Sequence, residues 1–506
     1  MPAQITSRRR WIFRLTAIAI GFLPLVVVEI GLRWIDGRED SRPSDGFDGT
    51  GLFTPVQADQ PSGTVTWEIS PRRSNYFCHA SFVAPKPPNT RRVFVLGGST
   101  VQGRPYASET AFAKFLELRL NSADTDRRHE VINCGGVSYA SDRVERILHE
   151  VLGHQPDAIV LYIGHNEFLE DRLEDRHGQQ HASSAQRWIN WAAGKSRAVG
   201  VLREVWTGTD LAGSSNRSTD PEGTFFDLQT RLDREGGMRA FRRDSSWRNQ
   251  VERQFEQTLD RMVRTCRKQR IPLIVCVPAS DVVRTPPFKV EPNPSALPSQ
   301  DAFMREAWQT IVDAETDQTE RFRLARNLLE IDSEHAGAHF VLGRAAYDRD
   351  PTPESCSDAA RKHLIAARDF DVCPLRATTT IEETVRSIGQ VASKTSPVQL
   401  VDIPRLFDRP PLMRSAIEDD IADPGWFVDH VHPTISGHRR IATELSRTFE
   451  TWGWFERSNV TEDRYQEVAR EHLSTLGEEY YQRGKQRLEG LQRWAAGRSG
   501  QTTIEQ

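Results

Sequence analysis

A chain of 506 residues with 38% apolar content is long enough for more than one structural unit, and its composition excludes disorder throughout. Lys and Arg (66) nearly balance Asp and Glu (70), and the resulting net charge of −4 removes the electrostatic case for a nucleic-acid partner. Six scattered cysteines, none in a CxxC pair, exclude a disulfide framework and offer no zinc site.

In chain order, a basic stretch at residues 1–14, containing RRRWIFR, precedes a run at 15–35 (LTAIAIGFLPLVVVEIGLRWI) long enough to cross a bilayer of roughly 30 Å. The arginines before it predict a cytoplasmic N-terminus and place the rest of the chain, periplasmic or extracellular, outside the cytoplasm. No small-x-small cleavage site follows, so the run reads as an uncleaved anchor. Residues 36–90 are rich in Pro, Gly, Ser and Asp, with one strand-like patch at 64–69, and read as a tether and lead-in.

Residues 93–96 (VFVL) predict a strand, and Phe112, Phe115, Leu116 and Leu120 follow helical spacing. A second strand comes at 130–133, a helix at 143–152, and the apolar run DAIVLYIG at 157–164 reads as a strand covered on both faces. Residues 167–243 are polar and read as a lid or surface insertion. Val251, Phe255, Leu259, Met262, Val263 and Cys266 form a helical stripe, and IPLIVCVP at 271–278 supplies a fourth strand. The next strand-like run, VQLVDI at 398–403, comes too late for a simple crossover, so residues 300–390 read as an insertion. Within it, AHFVLGRAAY and AARKHLIAARDFDVCP are similar to a tetratricopeptide hairpin, a candidate surface for a protein partner. Residues 456–506 predict a charged helical tail.

Three stretches carry chemistry. In LGGST, glycines at 97 and 98 let the chain bend at the end of a strand and deliver Ser99 where open α/β sheets place their reactive groups. Taken alone, the same turn suits Ser99 as a helix cap. In WFVDHVHPTISGH, Asp429 stands three residues before His432, a spacing at which a carboxylate can hold the imidazole Nδ1 proton and leave Nε2 to take a proton from a hydroxyl. In GHNEF, Asn166 follows a strand and can offer an amide to a developing oxyanion, and the NCGGVSYAS stretch can add a backbone N–H from Gly136 or Ser138. HEVLGH spaces its histidines wrongly for HExxH zinc binding, and neither a GxSxG elbow nor a phosphate-cradling GxxxxGK occurs. No metal or cofactor is expected. Arg376 in PLRA and the PPF at 286–288 could edge a substrate cleft, although a hairpin end and a loop read as well.

The four ordered blocks resemble those of the SGNH (GDSL-type) hydrolases, over residues 91–290 and 395–455. The resemblance implies a flavodoxin-like three-layer α/β/α fold with a mostly parallel sheet, Ser99 as nucleophile, Asp429 as orienter, His432 as base and Asn166 as an oxyanion donor. It implies a serine esterase acting on a small-molecule or carbohydrate ester. Two positions depart from the pattern: Gly98 stands where the family commonly has Asp, and the family's second-block glycine falls on Ser138. The same machinery serves a polysaccharide O-acetyltransferase, and an anchored scaffold with a vestigial site is the rival from another class.

Overall fold

Ala158–Tyr162 and Leu273–Val277 are apolar at every position and buried throughout, as strands covered on both faces must be. The computed structural model describes residues 51–56, 63–170, 230–232, 237–349, 358–394, 397–407, 425–456 and 462–498. Strands β1 (Phe53–Val56), β2 (Val65–Ile69) and β3 (Ser81–Ala84) form a small antiparallel sheet. Strands β4 (Thr90–Gly97), β5 (Arg128–Gly135), β6 (Ala158–Tyr162), β7 (Leu273–Val277) and β8 (Val398–Asp402) form a parallel one, in the order β5-β4-β6-β7-β8. Counted from β4, this is the 2-1-3-4-5 order of flavodoxin-type sheets, whose binding crevice opens where the winding reverses beside the first strand.

Alternation along β4 sends Val93 and Val95 to one face, where Phe112, Phe115, Leu116 and Leu120 of one helix and Ile441, Leu445 and Phe449 of another complete a single apolar cluster. Each such aromatic or leucine contributes on the order of 1.5–3 kcal/mol by leaving water. Helices Ser141–Leu152, Ser245–Gln269 and Thr379–Ser393 form the layer on the opposite side. The result is three layers with the sheet in the middle.

Two segments differ from the sequence reading. The lead-in carries three strands, and Glu150 of the Ser141–Leu152 helix accepts the N–H groups of Leu52 and Phe53 at 2.7 and 2.8 Å, docking the small sheet on the core. β1 has only 4 residues and includes Pro55, so no local pattern announces it; its partners on β2 supply the order. The Thr379–Ser393 helix, expected within the insertion, belongs to the sheet's outer layer and buries Ile381, Val385 and Ala392 there. The four helices before it, Pro298–Val312, Gln318–Ile331, Ala336–Arg349 and Asp358–Asp369, pack each on the next, and Leu364 and Ala367 close on Phe340 between the last two.

The C-terminal tail docks on the core. Tyr465 and Ala469 are buried, and Arg119 of the Phe112–Ala123 helix pairs with Glu462 at 3.0 Å while its guanidinium lies 4.6 Å from the centre of the Tyr465 ring. The apolar run at 15–35 and most of the expected lid lie outside the described residues, within which no helix is long and apolar enough to cross a membrane.

Candidate active site

Parallel register brings the three loops of the site together. Gly97 pairs with Tyr162 of β6 and with Gly135 of β5, so Ser99, two residues on, emerges beside the segments that begin at Ile163 and Gly136. A Cβ at position 97 would lie 2.2 Å from the Tyr162 carbonyl oxygen, so only glycine fits at the strand's end. The helix Ser99–Gln102 is capped by Gly98, which frees the serine hydroxyl from capping duty.

That hydroxyl meets His432. Ser99 Oγ lies 2.7 Å from His432 Nε2, and His432 Nδ1 lies 2.6 Å from Asp429 Oδ2. A carboxylate can only accept, so Nδ1 carries the proton and Nε2 accepts from the serine O–H. The other Asp429 oxygen accepts the N–H groups of Val431 and His432 at 2.9 and 2.8 Å, which fixes the carboxylate from behind. Burial alone would raise the Asp429 carboxyl; the His432 and His430 rings and these hydrogen bonds outweigh it and hold the group well below the usual carboxylate range. Helix capping, the competing use of an Asp before a helix, falls to Thr434, whose hydroxyl accepts from Gly437 N–H at 3.0 Å.

Residues before the insertion hold the turn. The His430 carbonyl accepts from Asp281 N–H at 2.9 Å, and Arg284 bridges Asp281 to the Phe427 carbonyl, at 2.6 and 2.8 Å. Arg376 is spent inward: it donates to the carbonyls of Asp281, Thr285 and Pro286 at 3.0, 2.8 and 3.4 Å. Only 2% exposed, it braces the loop from inside and pairs with Asp371 at 3.7 Å instead of edging a cleft. Phe288 packs edge-on against His430 with ring centres 5.0 Å apart.

No protein-family model matches the chain, and no curated protein matches it. Solved structures are distantly similar. An acetyl xylan esterase, AlAXEase, shares 13% identity at a TM-score of 0.29, covering 70% of this chain and 98% of that one. The acetylxylan esterase Axe2 from Geobacillus stearothermophilus shares 12% at 0.31, covering 72% and 97%. LAE5, an alpha/beta hydrolase enzyme from the metagenome of Lake Arreo, Spain, shares 14% at 0.29, covering 71% and 94%.

Beside the Ser99–His432 pair, Asn166 Nδ2 donates to the Tyr139 carbonyl at 3.1 Å, and its second N–H has no acceptor among the described residues. A Cβ at position 98 would sit 2.5 Å from that nitrogen. The glycine that stands where the SGNH pattern has aspartate is thus the residue that lets Asn166 approach the serine's turn. The two backbone candidates separate. Gly136 N–H donates to the Gly97 carbonyl at 2.9 Å and is spent, whereas Ser138 N–H has no acceptor among the described residues. Ser138 has φ +63°, the left-handed conformation that glycine adopts most readily.

Sequence reasoning missed the residues that hold Asn166 and the Ser138 loop in place. Glu167 accepts the backbone N–H and the hydroxyl of Ser141 at 3.1 and 2.7 Å, and Glu170 accepts Ala140 N–H at 3.2 Å and Arg143 Nε at 2.5 Å. Glu167 follows Asn166 directly and Glu170 comes three residues later, so one segment supplies the amide and clamps the loop that carries Ser138. The only hint was two acidic residues in a stretch headed for the interior. His165 Nε2 donates to the Ala279 carbonyl at 3.0 Å, tying the ends of β6 and β7, and burial keeps its ring neutral with a pKa of about 4. Among the described residues no three His, Cys, Asp or Glu side chains gather as metal ligands.

Proposed function

We propose that the chain is a serine-dependent acyl-ester hydrolase of the SGNH (GDSL) type, held by residues 15–35 with its catalytic part outside the cytoplasm. The observation that carries the reading is the unbroken hydrogen-bonded series from Ser99 through His432 to Asp429, built from residues 333 positions apart in the chain. An alkyl hydroxyl is too weak an acid to attack an ester unaided, and a neutral imidazole aimed at it by a buried carboxylate is the arrangement that overcomes this.

In this mechanism Ser99 Oγ adds to the acyl carbon while its proton passes to His432 Nε2. The carbonyl oxygen becomes an oxyanion, which the uncommitted N–H of Asn166 and the N–H of Ser138 stabilise. On collapse the C–O bond to the alcohol breaks and the alcohol leaves with the proton from His432. Water then adds to the acyl-enzyme, giving its proton to His432; the acid departs and Ser99 recovers its hydrogen. Ser99, His432 and Asn166 are 8%, 5% and 9% exposed, so water in the site is limited and the electrostatic terms are strong.

The test is acetate release from 4-nitrophenyl acetate and from acetylated xylo-oligosaccharides by the full chain and by Ser99→Ala. Wild-type turnover lost in the variant supports hydrolysis. Equal turnover by both removes Ser99, and acetyl transfer to an added glycan without free acetate redirects the reading to an O-acetyltransferase.

A further inference from the structure

Between Val277, where β7 ends, and the helix that begins at Pro298 the chain forms neither helix nor strand, so no ladder fixes its backbone and side chains must do so. This loop holds the turn of Asp429 and His432 at two carbonyls that flank Asp429. Asp281 N–H donates to the carbonyl of His430 at 2.9 Å, and Arg284 to that of Phe427 at 2.8 Å. The Phe288 ring adds a third contact, 5.0 Å from the ring of His430, which stands 6.1 Å from that of His432. Whatever sets the loop therefore sets the imidazole.

Two residues that set it come from the far end of the four-helix insertion. Asp371 and Arg376 follow the last of those helices and are 1% and 2% exposed, too deep to touch a substrate. The one guanidinium of Arg376 donates to three carbonyls of the loop, those of Asp281, Thr285 and Pro286. Asp371, 3.7 Å from Arg376, accepts the N–H groups of Phe288 and Lys289 at 2.7 and 3.0 Å, and its carbonyl accepts from Arg248 of the Ser245–Gln269 helix at 2.6 Å. The insertion grips the loop at a second place. Val282 and Val283, next to Asp281, pack on Phe340, Leu364 and Ala367 of its last two helices, and Arg344 donates to the Val283 carbonyl at 3.3 Å.

A buried ion pair adds little net stability, because desolvation offsets the attraction. What Arg376 offers that an apolar side chain of its size cannot is a rigid planar fork that fixes several acceptors at once. We propose, on the serine-ester reading, that Asp371 and Arg376 are positioning residues for His432, acting through residues 281–288, and that the last two helices of the insertion thereby support turnover. The placement of His432 is observable without any reaction.

The full chain is compared with Arg376→Met, which loses the fork, with Arg376→Lys and Asp371→Asn, and with Val283→Ala and Phe288→Leu, which leave the buried pair intact. Hydrolysis of 4-nitrophenyl acetate and phosphonate labelling of Ser99 are both expressed per serine that labels, so unfolded molecules do not count. A reacting group misplaced by about 1 Å costs on the order of 10²-fold, so Arg376→Met should lower kcat and the labelling rate roughly 10–100-fold with KM within about twofold. Arg376→Lys should recover part of the loss, and Asp371→Asn, Val283→Ala and Phe288→Leu should lower the same two rates by smaller factors. The Nδ1–H proton of His432, held far downfield by the Asp429 carboxylate, should give one sharp resonance in the wild type and a shifted or broadened one in Arg376→Met. Should Arg376→Met not fold, Val283→Ala and Phe288→Leu decide by the same readings. Rates per labelled serine equal to wild type in every folded variant, with the resonance unchanged, overturn the positioning role and leave Asp371 and Arg376 as structural residues. A wild type that shows the resonance but neither labels nor hydrolyses overturns the esterase reading alone, and the response of that resonance to the substitutions then decides the positioning role.

Discussion

Asp429→Asn is the sharpest perturbation the site offers. In the native chain one carboxylate oxygen takes the Nδ1 proton of His432 at 2.6 Å and the other takes the N–H groups of Val431 and His432. Asparagine keeps the volume, and its carbonyl oxygen can still accept both backbone N–H groups, so the turn should hold. What changes is the face toward the imidazole. The amide NH2 can only donate, so Nδ1 becomes the acceptor, the proton moves to Nε2, and the nitrogen 2.7 Å from Ser99 Oγ can no longer take the hydroxyl proton. A wrong tautomer in an otherwise intact triad costs a factor of roughly 10⁴ in kcat, or about 5.5 kcal/mol of barrier. Steady-state hydrolysis of 4-nitrophenyl acetate, with a thermal melt on the same sample, reads both parts. A kcat within tenfold of wild type, with an unchanged melt, would refute the reasoning.

Asn166→Ala removes the uncommitted amide N–H and should lower kcat by roughly 10²–10³ with a small effect on KM, and Gly98→Ala, by displacing that amide, should lower it in the same sense through a substitution of one methyl group. An Asn166→Ala enzyme with wild-type kcat would remove the amide from the mechanism. Stability should fall as pH falls from about 6.5 to 4. His165 and His335 are buried, His430 is half-buried, and all three are neutral, each with a pKa of about 4, desolvation being the first cause in each. Because their folded values lie below the unfolded 6.5, the unfolded chain binds more protons in that window, and the stability present above it is progressively lost. His165 alone accounts for about 3 kcal/mol, order of magnitude, by pH 4. Asp429, also depressed, loses its contribution only at lower pH, below its unfolded value of 3.8. A melting temperature as high at pH 4.5 as at pH 7.5 would contradict this.

Much of the fold was legible because the sheet is buried on both faces. Such strands write unbroken apolar runs, at 158–162 and 273–277, and the helices between them write a period of 3.6, as Val251 to Cys266 does. Ser99, Asn166, Asp429 and His432 could be singled out because each follows a strand or precedes a helix. Their meeting depends on parallel register and on a turn braced by Asp281 and Arg284, neither of which a local pattern encodes. β1 escaped notice because its order comes from β2 and from Glu150, nearly a hundred residues away in the chain. The Thr379–Ser393 helix was assigned to the insertion because its apolar spacing says that it packs, and not against what. Gly136 and Ser138 were equal candidates by sequence; only the hydrogen bond from Gly136 to Gly97 tells them apart. The docking of the tail was hidden for a related reason. Tyr465, Ala469 and Leu473 give the Glu462–Ser474 helix a narrow apolar seam, and a charged surround of Glu and Arg masks it.

The central claim is that the Ser99 hydroxyl is made nucleophilic by His432. It is tested most directly by incubating the full chain with a serine-reactive phosphonate and locating the adduct by peptide mass spectrometry. A single adduct on Ser99, abolished in Ser99→Ala and slowed by orders of magnitude in His432→Ala, is the expected result. An unlabelled Ser99 in the folded wild-type chain, or a label whose rate is indifferent to His432, would contradict the account.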